Sequence, residues 1–171
     1  MTTREPSSGG LPFDPIDEAA RQWAQHWDGV PQMHAVTSLM RVQQLVIGRL
    51  DALLKPFGLT FARYEALVLL SFSRHGRLPM RVMGERLQLH PTSVTNIVDR
   101  LEAQGLVIRV AHPTDRRTTL CEITDAGRKV CAEATDVVVG VDVGIVGLSE
   151  RESDQLTRLL AKMRRASGDF G

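Results

Sequence analysis

The sequence predicts a mainly α-helical protein with a small β-hairpin (α+β), and three observations lead to that fold class. Apolar side chains recur at helical spacing, most clearly at Val94, Ile97, Val98 and Leu101. A β-branched run from Leu106 to Val110 follows Gly105 directly and is typical of a strand. A turn at residues 112–115 and a second strand-like run, residues 118–123, complete a hairpin. Helix, strand, charged turn and strand in this order indicate a winged helix-turn-helix domain.

The N-terminal part of the chain is predicted to hold a tail and two helices. Residues 1–13 are rich in Pro, Ser and Gly and offer little to bury, so we expect disorder. Residues 14–28 predict a helix with Trp23 and Trp27 on one side, which we interpret as packing anchors, with ligand contact as the alternative. Residues 32–55 carry a wide apolar face. That face exceeds what a small winged domain needs, so it favours docking on other helices or on a second subunit.

Two short helices precede the hairpin. Thr60 is a suitable N-cap for a helix over residues 61–73, and Pro79 is predicted to open the next helix at its first position. Only residues 88–90 separate that helix from another that begins near Pro91. Two short helices joined by a tight turn, the second with a polar side, are typical of helix-turn-helix geometry.

The C-terminal part is predicted to be helical. Thr124 caps a helix, and its later part, residues 137–147, is interpreted as bent or frayed helix because no partner strand is evident beside it. A strand is the alternative for this Val- and Gly-rich segment. Ser149 and Glu152 form a capping box that opens a final helix, and that helix finishes before Gly168.

The chain has 171 residues, a net charge of +1 and 43% hydrophobic residues, which fits one globular domain with helical extensions. We expect a cytoplasmic protein without a membrane segment, since the sequence shows neither an apolar run of about 20 residues nor a signal peptide. Residues 74–117 contain eight arginines and four acidic residues, whereas residues 1–30 contain two arginines and five acidic residues. Positive charge therefore collects around the hairpin, as phosphate contact requires, although a solvated surface is the alternative.

The helix before the hairpin carries a polar side that suits DNA. Short hydroxyl and amide groups reach base edges without burying a charge, and arginines on a hairpin reach phosphates or a narrow minor groove. Together with the hairpin turn, this side defines the candidate DNA-binding residues, which are Thr92, Ser93, Thr95, Asn96, Arg100, Asp115, Arg116 and Arg117.

Other functional classes find little support in the sequence. The five histidines are scattered without ligand spacing, so neither a metal site nor a cofactor is expected. No nucleophile elbow, phosphate loop or paired-carboxylate signature is present, and we expect no enzyme. Cys121 and Cys131 are interpreted as small buried hydrophobes, with redox sensing as the alternative. A winged-helix dimer that binds a protein through its basic face, without an operator, is the competing function.

The segments TSVTNIVDRLEAQGLVIR, DRR and LCEITDAGR resemble the MarR family of bacterial winged-helix transcription regulators, over about residues 36–165. The resemblance implies a homodimer whose interface is formed by residues 14–58 and 124–171, with residues 59–123 as the DNA-binding domain. It implies that the helix from Thr92 to Arg100 enters the major groove of double-stranded DNA. It also implies that Asp115 holds Arg117, which probes the minor groove. Two-fold symmetry then favours a pseudo-palindromic operator, and the expected role is that of a repressor.

The additional N-terminal helix is similar to one found in a branch of this family that responds to urate and other small anions. This resemblance implies an anionic effector held by Trp23, Tyr64, Glu65 and either Arg116 or Arg117. Asn96 stands where the branch has an arginine, so an anion other than urate is expected to be the effector. The alternative is that Trp23 belongs to the core and that Glu65 is an ordinary surface residue.

Overall fold

The computed structural model describes residues 10–115 and 117–171, which divide into two compact units at residue 48. Residues 1–9 of the predicted tail and Arg116 of the hairpin lie outside the described residues. Seven α-helices and three strands follow one another in the described part of the chain. The predicted fold class, mainly α with a small antiparallel sheet, is confirmed. Within the described residues every helix is too short or too polar to cross a bilayer.

The first unit contains α1, Pro15–Trp23, and most of α2, Val30–Leu54. Asp14 caps α1, because its side chain accepts a hydrogen bond from the backbone N–H of Ile16 at 2.8 Å. The prediction that this helix reaches residue 28 is wrong. It ends at Trp23, whose indole N–H donates to the carbonyl of Asp28 at 2.8 Å and so draws the following turn back onto the helix. The contact supports the interpretation of Trp23 as a packing anchor.

The core of the second unit lies between α3, Phe61–Ser71, and the helices that follow it. These are α4, Met80–Leu87, α5, Pro91–Ala103, and α6, Asp125–Val139. The side chains that are fully buried there are mostly aliphatic and include Leu67, Leu70, Met83, Val98 and Leu101. The apolar stripe that predicted α5 from the sequence is therefore the side that this helix turns into the core.

A three-stranded antiparallel sheet flanks these helices, and one of its strands was not predicted. The strands are β1, Arg77–Pro79, β2, Val107–Ala111, and β3, Thr119–Ile123, with β3 in the middle. Pro79 lies one residue before its predicted position, because it is the N-cap of α4, which begins at Met80, and it also ends β1 opposite Leu120. Three residues are too few to show strand periodicity, and a proline is compatible with an edge strand.

The turn between α4 and α5 has the expected length. Gln88 adopts a left-handed conformation with φ of 53°, and α5 starts at Pro91 as predicted. Helix α5 ends before Gly105, whose φ of 71° is the conformation that glycine adopts most easily after a helix. The helix-turn-helix is thus confirmed, and Gly105 leads the chain directly into β2.

The C-terminal helices begin at the predicted caps. The Thr124 hydroxyl accepts from the backbone N–H of Gly127 at 3.0 Å, and the Ser149–Glu152 capping box opens α7, Glu150–Ala166. The prediction of a bent or frayed helix over residues 137–147 is wrong beyond Val139, where α6 ends, and a short 3-10 turn at residues 142–144 follows. Residues 140–147 contain no strand either. The glycines in this segment favour turn conformations over both regular structures.

Replacement of Gly127 by alanine is expected to destabilise the second unit. A Cβ atom at this position would lie 2.1 Å from the carbonyl oxygen of Leu106, and that backbone cannot move aside easily because it also accepts the N–H of Thr124 at 3.0 Å. We expect a loss of about 2 kcal/mol or more in the free energy of unfolding, measured by urea denaturation. The matched control is Ala126→Ser at the exposed neighbouring position, which should change stability by less than about 0.5 kcal/mol. Equal stability of the two variants would contradict the packing described here.

Candidate nucleic-acid interface

Helix α5 presents its polar side to solvent. Val94, Val98 and Leu101 are at most 2% exposed and anchor the helix to the core. The polar residues predicted to contact DNA are all exposed, namely Thr92, Ser93, Thr95, Asn96 and Arg100. The Thr95 hydroxyl donates to the carbonyl of Pro91 at 3.1 Å, so its oxygen and methyl group are the parts that it offers outward. The surface carries small hydrogen-bonding groups of the kind that fit into a major groove.

The tip of the β2–β3 hairpin is ordered by Asp115. Its carboxylate accepts the hydroxyl of Thr118 at 2.6 Å and the backbone N–H of Arg117 at 3.0 Å. The Thr118 bond, followed by the Arg117 bond, lowers the pKa of Asp115 below its ordinary value. The predicted hold of Asp115 on Arg117 therefore acts on the backbone of Arg117. The side chain of Arg117 is exposed and forms no ion pair with any described residue.

A His-Pro-Thr triplet occurs twice at this surface, and the imidazole plays the same part in both. His90 Nδ1 accepts the N–H of Thr92 at the start of α5, and His112 Nδ1 accepts the N–H of Thr114 in the hairpin, each at 3.3 Å. His112 also accepts the N–H of Asp115 at 3.1 Å. Sequence reasoning did not assign this capping role to either histidine, although the repeated triplet was a signal for it.

A groove of about 980 Å³ separates the N-terminal half of α5 from the hairpin. It is lined by Thr95 of α5 and by Arg117 and Thr118 of the hairpin, with Arg81 from α4 and Gln88 from the turn that follows α4. The structure thus brings residues of the predicted helix and of the predicted hairpin to the walls of one open cleft. A surface of this shape can receive one strand of a duplex while side chains on both walls reach into it.

Arginine charge at this interface is only partly neutralised by neighbouring acids. Arg77 pairs with Glu122, Arg81 with Glu85, and Arg109 with both Asp99 and Glu102. Four arginines of residues 74–117 form no ion pair with any described residue, namely Arg74, Arg86, Arg100 and Arg117. The last two stand on α5 and on the hairpin, where their charge is available to phosphates.

The residues predicted to hold an effector come from different parts of the chain. Trp23 belongs to the first unit, Tyr64 and Glu65 belong to the second, and Arg116 lies outside the described residues. Tyr64 is 8% exposed, and its hydroxyl lies 3.0 Å from that of Thr135 on α6. Glu65 is exposed, although desolvation raises the pKa of its carboxyl.

A hollow of about 410 Å³ opens between α3 and α6. Its polar lining includes Tyr64, Arg128, Thr135 and the acid Asp136, and its apolar lining includes Val68 and Phe72. Arg128 was not among the predicted effector residues, and its only sequence signal was a basic residue in the first turn of a predicted helix. The combination of a guanidinium, a carboxylate, hydroxyls and an aromatic ring suits a small molecule with an apolar body and polar or charged groups, and an anionic group would have to meet Arg128 and not Asp136.

Both cysteines are buried, as predicted. Cys121 is inaccessible in the middle of β3 and Cys131 is 5% exposed on α6. Burial raises the pKa of the Cys121 thiol to about 12 and also raises the pKa of Cys131. A thiol of this kind stays protonated at neutral pH, which disfavours the alternative of redox sensing.

Comparison with known proteins identifies the family. A model of the MarR family matches residues 57–118. The HTH-type transcriptional regulator MhqR of Bacillus subtilis is 36% identical over 89 residues, which make up 52% of this chain and 61% of MhqR. The chain thus spans less than two thirds of that relative.

Solved structures extend the similarity to nearly the whole described chain. Sco5413, a MarR family transcriptional regulator from Streptomyces coelicolor, is 51% identical with a TM-score of 0.76, over 84% of this chain and 99% of its own. CouR from Rhodococcus jostii RHA1, solved with p-coumaroyl-CoA bound, is 30% identical with a TM-score of 0.64, over 73% of this chain and 87% of its own. Such regulators are not enzymes, which confirms that expectation. The chain belongs to the MarR family of transcriptional regulators.

Proposed function

We propose that this regulator binds a specific DNA operator as a homodimer, with α5 in the major groove and Arg117 at the minor groove. The observation that carries the proposal is the exposed row of hydroxyl and amide groups on α5. One member of that row, Thr95, lines the same groove as Arg117. The residues assigned to DNA are those predicted from the sequence, and Arg116 keeps the role predicted for it there. A cytoplasmic location follows from the proposal, because the DNA target lies in that compartment.

The two kinds of contact have different tasks in this proposal. Arg100 and Arg117 supply charge to phosphates or to a narrow minor groove, which gives affinity that falls with salt. Thr92 and Asn96 offer a hydroxyl and an amide to base edges, and an amide can make two hydrogen bonds to one adenine. Sequence selection therefore rests on α5, while the hairpin contributes mainly affinity and register.

Unpartnered apolar surface supports the dimer. On α2, Met40 is 53% exposed and Leu45 63%, and on α7, Leu159 is 56% and Met163 51% exposed. Large apolar side chains on two long helices rarely remain in contact with water, because burial gains about 25 cal/mol per Å² of apolar surface. A second copy of the chain, which offers the same two helices, is the occupant that we propose. The two-fold symmetric dimer would present two α5 helices to a pseudo-palindromic site.

The proposed effector is a small organic anion, and the hollow between α3 and α6 is its proposed site. Arg128 offers a cation there, and Val68 and Phe72 offer apolar surface. CouR, a structural relative, binds the anionic thioester p-coumaroyl-CoA, which makes a ligand of this chemistry plausible for the fold. Trp23, Glu65 and Arg116 remain predictions for effector contact. We propose a repressor in which the effector favours a dimer whose α5 helices are wrongly spaced for the operator.

Arg117→Ala is expected to weaken operator binding without changing the fold. The duplex is first selected from a randomised DNA pool by the wild-type protein, and affinity is then measured by fluorescence anisotropy. We expect a loss of about tenfold at moderate salt and a shallower dependence on salt, because the variant gives up one or two phosphate or groove contacts. The matched control is Arg158→Ala, which removes the same charge from exposed α7.

Equal affinity of the two arginine variants would contradict the role of the hairpin. The selection of a duplex from the randomised DNA pool tests the proposed operator binding itself. Recovery of no common sequence, with binding that depends on salt alone, would favour the competing interpretation of a basic protein-interaction module without an operator.

Leu159→Glu together with Met163→Glu on α7 is expected to yield a monomer. Two carboxylates at these positions would have to be desolvated on association, which costs more than a weak interface returns. Light scattering after size exclusion should show the mass of two chains for the wild type and of one chain for the variant. Arg151→Glu together with Arg158→Glu, exposed positions of the same helix, is the control for added acidity. A wild-type monomer at micromolar concentration would contradict the proposed dimer.

A further inference from the structure

The guanidinium of Arg109 lies between two carboxylates of α5. One of its terminal nitrogens, Nη2, donates to Asp99 and the other, Nη1, donates to Glu102. The backbone N–H of Arg109 also donates to Glu102, at 3.1 Å. Both oxygens of Glu102 are therefore engaged by one residue of β2. The Arg109 side chain is only 26% exposed, so most of its surface is committed to this cluster.

Asp99 occupies an unexpected position for an acid. It lies one helical turn beyond Asn96 on the polar side of α5, and its side chain is 54% exposed. A free carboxylate on the surface that approaches DNA repels the phosphates, and the repulsion grows as salt is lowered. The bond from Arg109 reduces this penalty, because it places a positive charge, which Arg109 shares between Asp99 and Glu102, next to the carboxylate.

Glu102 gives the cluster a second task. Arg109 stands in the middle of β2, opposite Cys121 of β3, and these two strands lead to the hairpin tip that carries Arg117. Through Glu102, α5 is thus hydrogen-bonded to the backbone and to the side chain of the hairpin. A double contact of this kind fixes an orientation more firmly than a single point charge does.

We propose that Arg109 is a positioning residue for DNA recognition. It masks the charge of Asp99 on the recognition surface and, through Glu102, holds the hairpin at a fixed angle to α5. Arg109 itself does not touch DNA. This inference rests on the proposed function, and it divides the two tasks between two acids: Asp99 bears the electrostatic one and Glu102 the geometric one.

Substitutions at Arg109 and at the two acids separate these tasks. Arg109→Met keeps the length of the side chain and exposes Asp99. On the duplex selected by the wild-type protein we expect affinity to fall about tenfold at about 50 mM salt and less at about 200 mM, because salt screens the repulsion. Adding Asp99→Asn to Arg109→Met should restore most of the low-salt loss, whereas adding Glu102→Gln should not. Asp99→Asn alone should bind within about threefold of wild type or more tightly.

Two controls keep the result interpretable. Lys129→Met removes a cation that is paired with Glu133 on α6 and should leave binding unchanged. Thermal unfolding of each variant identifies any that no longer folds, and Arg109→Lys, which keeps the charge without the two-sided contact, then replaces Arg109→Met. The Arg109→Lys protein should also bind the duplex more weakly than wild type. Adding Asp99→Asn to Arg109→Lys should restore less affinity than adding it to Arg109→Met, because the lysine still carries a positive charge next to Asp99.

Three outcomes would overturn the inference. A folded Arg109→Met protein that binds within about twofold of wild type would show that the cluster does not act on recognition. A loss that is independent of salt and is not rescued by Asp99→Asn would show a purely structural role. A large loss in Asp99→Asn alone would show that Asp99 contacts the DNA itself. Failure of the wild-type protein to select any duplex would instead refute the proposed function and is recognised before a variant is tested.

Discussion

The burial of one side of α5 is the constraint on which the rest of the structure depends. Val98 and Leu101 are fully inaccessible and Val94 nearly so, which fixes the rotation of the helix about its own axis. Once that rotation is set, Thr92, Asn96 and Asp99 have to face solvent, because they stand on the opposite side. The recognition surface is thus a consequence of hydrophobic burial elsewhere on the same helix.

The sheet transmits this constraint to the hairpin. Strand β3 lies in the middle, with buried Leu120 and Cys121, and β2 is hydrogen-bonded to it along its length. At one end, the carbonyl of Leu106 accepts the N–H of Thr124, which caps α6. On its face, Arg109 joins β2 to α5. Arg117 therefore stands on a hairpin that is tied to α5 and to the core.

Sequence reasoning succeeded where a long periodic segment or a capping motif carried the signal. Helix α5, the Ser149 capping box and the hairpin are confirmed with their predicted starts or within one residue of them. It failed where the determining partner is distant in the chain. Strand β1 has three residues and exists because Leu78 pairs with Cys121, more than forty positions away. The end of α1 at Trp23 depends on a hydrogen bond from the Trp23 indole to the backbone carbonyl of Asp28. Helix propensities of the residues do not contain this contact.

The sequence alone determined the class of the fold, the position of α5 and the residue types on its polar side, because period and composition are local properties of the chain. Tertiary structure decided which charges remain available on that surface. Asp99, Glu102 and Arg109 look like three separate charges in the sequence, and only their meeting across α5 and β2 makes them one ion-paired cluster. Arg128 and Tyr64 likewise become the lining of one hollow only because α3 packs against α6. Such pairings depend on how the elements pack together, and that information is not contained in any short stretch of sequence.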